Sequence, residues 1–216
     1  ERMLSGANLA AVGDGSADGW EVIRFSHAAL VGPGEWEIST RLRGVGGSPV
    51  PEAGWPAGSR FVLLDSRVVP MALPLEARGL ARQYRVGPAA RAPDDPTFRH
   101  FVQAFDGIGL RPLSPVHLKA VRDGGDLSLA WVRRTRVGGD SWGAGDVPLS
   151  EESERYLLRV VAGGTVKREE TVSLPAWTYT AAMQAADGMS GSFELHVAQI
   201  SAYFGPGLFG RIEIND

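Results

Sequence analysis

The sequence contains no cysteine, which removes disulfides, thiolate nucleophiles and cysteine-ligated zinc from consideration. It has no apolar run approaching the length of a bilayer-spanning helix. Long basic runs are also missing. Arg133-Arg134-Thr135-Arg136 is short and reads as one solvated strand end, and a net charge of −3 leaves no electrostatic footprint for nucleic acid. Neither a Gly-x-Ser-x-Gly elbow nor a phosphate-binding loop ending in Gly-Lys-Ser/Thr is present. His27, His100, His117 and His196 are scattered, with no pair at metal-ligand spacing. There is no internal repeat and no heptad. The usual signatures of catalysis, metal binding and nucleic-acid recognition are therefore absent.

What the chain does have is turn chemistry and alternation. Its 216 residues are 44% hydrophobic and include 28 Gly and 14 Pro, enough apolar material for real cores and enough punctuation to connect many short strands. The chain opens on Glu1-Arg2-Met3-Leu4 with neither an initiator Met nor a signal peptide, so the expectation is a segment of a longer polypeptide.

Residues 113–216 carry the clearest pattern. Leu127-Ser128-Leu129-Ala130-Trp131 places its large apolar side chains on one face, and Tyr156–Val160 and Phe193–Ser201 read the same way. His196 falls on the outer face of the last of these. Ala162-Gly163-Gly164-Thr165 is a tight hairpin turn between Tyr156–Val161 and Val166–Val172. Val116–Val121 opens the set, Trp177–Thr180 continues it, and Gly205-Pro206-Gly207 precedes a closing strand at Ile212–Ile214. Ala181–Asp187 has room for one or two helical turns. This succession is that of a fibronectin-type-III-like antiparallel β-sandwich.

Residues 1–112 also read as β-structure. Trp20–Phe25 begins a long half-buried strand, Val31–Gly34 turns, and Glu35–Arg43 alternates cleanly. Strict alternation puts Trp36, Ile38, Thr40 and Leu42 on one face and Glu35, Glu37, Ser39, Arg41 and Arg43 on the other. Gly44–Gly58 is a loop interrupted by Pro49, Pro51 and Pro56. Arg60–Asp65 reads as a buried strand with Arg67–Leu73 as its neighbour, and Leu80–Val86 as a further strand. Thr97–Phe105 fits a helical face as well as a strand. The expected fold class is mainly β, a β-barrel-like domain (1–112) followed by the sandwich (113–216), joined by a hinge at Arg111-Pro112-Leu113-Ser114-Pro115.

Three clusters invite a chemical reading. Asp14-Gly15-Ser16-Ala17-Asp18-Gly19 matches the opening of a calcium loop, but its twelfth position is Phe25 where a bidentate carboxylate is required, so it reads as a turn. Asp140, Trp142 and Asp146 share a glycine-rich loop; Trp142 suits sugar stacking, a subunit contact, or folding back onto its own sandwich. Glu151, Glu152 and Glu154, with Asp94 and Asp95, are the carboxylate groups that glycoside hydrolysis would need. That chemistry demands two carboxylates facing each other across a cleft, and clustering in loops does not supply it. No catalytic, cofactor-binding or metal-ligating residue is assigned.

The chain resembles the very large tail-tip (baseplate hub) protein of alphaproteobacterial gene transfer agents and related long-tailed phages. The resemblance rests on Leu4–Leu9, Gly32–Trp36, Leu42-Arg43-Gly44 and Arg60–Asp65 in the first half. In the second it rests on Arg111–Pro115, Leu129–Arg134, Tyr179–Ala182 and Val197–Ser201. It implies a trimer at the distal end of a tail tube, with β-barrel domains closing the tube, in an extracellular particle made in the bacterial cytoplasm. Implied partners are further copies of the chain, other tail-tip subunits and, as a further candidate, a host-surface glycan. Other parts of that family's polypeptide resemble a glycoside-hydrolase barrel and a membrane-penetrating segment, and none of their motifs falls in this chain. The competing expectation is a carbohydrate-recognition or spacer module of a secreted enzyme or adhesin. Trp20, Trp55, Trp142 and Trp177 lining one exposed groove would favour it.

Overall fold

The computed structural model describes residues 3–16, 19–51, 53–139 and 146–215. They are mainly antiparallel β-structure in two compact units, Glu1–Gly109 and Leu110–Asp216.

In the first unit, β1 (Leu9–Gly13), β2 (Trp20–Gly32), β3 (Glu35–Leu42) and β4 (Arg60–Leu63) form a half-barrel sheet in the order β3-β2-β1-β4. The strand β1 escapes sequence reading because Leu-Ala-Ala-Val-Gly has no alternation of large and polar side chains. It pairs with β2 from Leu9↔Arg24 to Gly13↔Trp20. Beyond Arg24, β2 has only β3 as a strand partner among the described residues, so the far half of this hairpin is a two-stranded ribbon. Ala10, Ile23 and Phe25 make a small core, with Val12 and Ile38 against it.

Three expectations for this unit are corrected. The strict alternation of β3 breaks at Thr40, whose φ of 53° leaves the extended region. As a result Ile38 packs on the core while Arg41 and Arg43, of the opposite parity, line a cavity with Ile23. β4 is exposed rather than buried, with Phe61 at 46%, Val62 at 38% and Leu63 at 39%, because it lies at the sheet edge with β1 as its one strand neighbour among the described residues. Its expected neighbour, 67–73, enters no ladder and contains Pro70, which cannot donate to one. Thr97–Phe105, open in sequence to a helix or a strand, takes the strand reading. It holds β6 (Arg99–Gln103), paired with β5 (Arg82–Val86), and Tyr84 stacks on Phe101 at 5.4 Å.

The second unit is a fibronectin-type-III-like sandwich. One sheet holds β7 (Val116–Asp123), β8 (Asp126–Val132) and β11 (Ala176–Tyr179); the other runs through β9 (Tyr156–Ala162), β10 (Thr165–Val172), β12 (Phe193–Ser201) and β14 (Gly210–Ile214). The short β13 (Gly205–Pro206) pairs with the end of β12, and a helix α1 (Ala181–Ala186) follows β11, capped by the Thr180 side chain. The β9–β10 turn carries Gly163 and Gly164 at φ 55° and 74°, the two positive angles that a right-twisted hairpin favours. Alternation delivers Leu127, Leu129 and Trp131 from β8 and Trp177 and Tyr179 from β11 to meet Leu158, Val160, Leu195 and Val197. Trp131 and Tyr156 meet edge-on at 5.0 Å.

The expected hinge at Arg111–Pro115 is part of this sandwich. Pro112 is fully buried, its carbonyl accepts from the Leu208 N–H, and the Pro115 carbonyl lies where a side chain on Gly210 would stand. Proline supplies a bare carbonyl and a rigid φ, which here fix the segment rather than free it.

Candidate functional site

The first unit contains one feature that periodicity does not explain. Glu21 lies on β2, on the same face as Ile23 and Phe25, and has 0% exposure. A lone carboxylate in that position would be costly. Four donors meet it instead. Arg43 Nε donates to Oε1 at 2.9 Å and Nη2 to Oε2 at 2.7 Å; the Gly44 N–H donates to Oε1 at 3.1 Å and the Trp55 indole to Oε2 at 2.8 Å. The two-bond fork from Arg43 is the strong geometry for a carboxylate. Gly44 reaches it with φ 64°, an angle that a side chain at that position would resist.

All these donors belong to the segment 43–55, which is also pinned where Ser48 Oγ accepts the Val22 N–H at 2.8 Å. Burial pushes the Glu21 carboxyl up, and the bonds from Arg43, Trp55 and Gly44 together outweigh it and hold the group below the usual glutamate range. Such a carboxylate is an anchor: it has no proton to give and its acceptor sites are filled. Beside it opens a cavity of about 260 Å³, with Val12 and Ile23 on its apolar side and Arg41, Arg43 and Trp55 around it. The signal in the sequence was a glutamate two and four residues from Ile23 and Phe25, on the face that a strand buries.

The candidates singled out earlier are dispersed. Asp14 accepts the Ser16 N–H at 2.8 Å and Ser16 Oγ the Gly19 N–H at 3.0 Å, making the turn between β1 and β2; Asp18 lies outside the described residues. Phe25 is core. Asp140 and Trp142 also lie outside the described residues, and Asp146 pairs with Arg133 at 2.6 Å. Among the acidic groups, Glu151 pairs with Arg136, Glu152 accepts the Ala202 N–H, Glu154 accepts from the Tyr156 hydroxyl, and Asp95 accepts from Thr97. Asp94 stands exposed next to it.

Arg133, Arg134 and Arg136 are not a solvated strand end. Arg133 also bonds the carbonyls of Val147 and Pro148, Arg134 bonds Ser114, and Arg136 is mostly buried on Glu151. The polar loop after β8 supplies acceptors that only the folded chain brings within reach. His27 bonds Ser26, His100 bonds Gln83 and His196 bonds Glu194, while His117 stands apart at a positive φ of 53°. Among the described residues, no group of three or more His, Cys, Asp or Glu is placed to hold a metal ion. No helix among them is long and apolar enough to cross a membrane.

Three of the four indoles named above are described, Trp20 and Trp55 in the first unit and Trp177 in the second, and Trp142 lies outside the described residues. Trp177 is in the sandwich core, Trp20 donates to the Ser16 carbonyl at the β1–β2 turn, and Trp55 is held by Glu21.

Residues 1–62 match the family described as Rcc01698-like, C-terminal, a name associated with gene transfer agents. No curated protein matches the chain. Among solved structures, the chain is similar to "Structure of FN3tt mut", at 14% identity and a TM-score of 0.33, over 49% of this chain and 96% of that one. It is also similar to the rat CD45 extracellular region, domains d3-d4, at 12% identity and a TM-score of 0.37, over 96% of this chain and 94% of that one.

Proposed function

We propose that this chain is a structural, non-catalytic part of a phage-like tail tip, where it helps to cap the tube and engage the host envelope during DNA delivery. The reading is supported by the order of motifs shared with gene-transfer-agent tail-tip proteins and by the family match over residues 1–62. The observation that carries it is the apolar surface that the first unit leaves uncovered. Trp36 is 60% exposed, Val69 80% and Met71 61%, alongside Leu30, Phe61 and Val102. Large apolar side chains left exposed in this number are material for contacts with other proteins. The trimer implied by the resemblance belongs to this proposal, as does the location at the tip of an extracellular particle.

The test is to tag this segment within its parent gene, purify particles and cross-link them. Labelled cross-links from Val69 and Met71 to tail-tip subunits are the expected result. Particles that contain no trace of the segment would refute it.

A further inference from the structure

We propose that the cavity beside Glu21 is a subsite for a single acidic sugar, a uronic-acid residue whose carboxylate is bound by Arg41. The proposal deepens the envelope-attachment part of the reading above, yet it rests on the cavity alone.

Three observations lead to it. First, the charges around the cavity are unequal in their commitments. The Glu21 acceptors and two Arg43 nitrogens are spent on one another. Arg41 lines the same cavity, is exposed, and has no hydrogen bond or ion pair among the described residues. With Glu21 and Arg43 cancelling, the cavity presents one free positive charge among the described residues, and its guanidinium fork matches a carboxylate. Second, Trp55 is fixed. Its indole N–H is tied to Glu21 at 2.8 Å, so the ring is a pre-set wall and ligand binding does not have to order it. Third, the size and lining select a small ring. About 260 Å³ has room for one sugar residue and not a chain, and Val12, Ile23 and the Trp55 ring offer apolar surface to its C–H face.

The break at Thr40 is what makes this possible. Without it, strict alternation would have put Arg41 and Ile38 on opposite faces; with it, both are on the side of Ile23.

The experiment uses the 216-residue chain, ¹⁵N-labelled, and follows the Trp55 indole N–H by NMR while methyl glucuronide is added. The expected result is a saturable shift of that resonance, little response to methyl glucoside, and binding at least about tenfold weaker in Arg41→Gln, the loss of one charged hydrogen bond. The indole peak position of the ligand-free Arg41→Gln chain reports that the fold is intact. Equal shifts with methyl glucoside would overturn the proposal. So would acetate or N-acetylglutamate matching the glucuronide, since the site would then take any small anion or an acidic peptide. Unchanged affinity in Arg41→Gln, or no saturable shift, would overturn it as well. None of these outcomes bears on incorporation of the segment into particles, so the two readings fail separately.

Discussion

Glu21 and Arg43 face each other through two bonds, at 2.9 and 2.7 Å, between a strand interior and the loop that covers it. The glutamate is sealed from water while the arginine side chain keeps 36% exposure. The pair is therefore asymmetric. Removing the carboxylate leaves the half-buried Trp55 indole and Gly44 amide donors without it, whereas the guanidinium retains access to solvent.

Glu21→Ala is accordingly expected to destabilise the first unit by about 3 kcal/mol, the lower end for breaking a buried pair because Arg43 can rehydrate. Urea unfolding followed at the Trp55 indole resonance measures it. A loss below about 1 kcal/mol would mean that the loop is held by something else.

The same group makes the loop acid-sensitive. Glu21 is held below its ordinary value in the folded chain, so the folded state binds fewer protons than the unfolded one as pH falls. Its contribution is complete above the unfolded glutamate value and disappears as pH drops through the folded value, over roughly pH 4.5 and below. Proteolytic cleavage within 43–58 should accelerate on acidification in the natural chain. The Glu21→Gln chain should show no such acceleration.

In the sandwich, Leu195 is fully buried among side chains from both sheets. Leu195→Ala should cost about 2–5 kcal/mol, as transfer and cavity losses add. The second unit's denaturation midpoint would move accordingly, with the Trp55 signal unaffected. Coincident shifts would show that the units unfold together.

Val69 and Met71 offer the converse test. Replacing both by Ser should leave the isolated chain's stability within about 0.5 kcal/mol, because neither is buried. Particle assembly in the parent context should fall sharply. Intact assembly with the doubly substituted chain would remove this surface from the interface.

The sandwich was largely legible in its residues because Leu127, Leu129 and Trp131 advertise their inner face by simple alternation, and Gly163-Gly164 names its own turn. The first unit was less so. β1 is too small in side-chain volume to stand out, and β4 looks buried because Phe61-Val62-Leu63 would be buried in a chain that covered its own edges. Thr40 leaves the extended region with no local signal in the sequence, while its strand keeps register with β2 on both sides of it. The Glu21 site depended on Arg43, Gly44 and Trp55 returning to one point, and spacing along the chain carries no record of that return.

The overhanging half of the β2–β3 hairpin has a kinetic meaning. From Ala28 to Glu37 its backbone is laced on one side only among the described residues, so amides there trade protons with water long before that of Val22, which pairs with β1 and donates to Ser48 Oγ. A two-stranded ribbon without a third strand holds its shape weakly in water. It is the part of the first unit that can bend or straighten while the bonds from 43–55 to Glu21 stay in place.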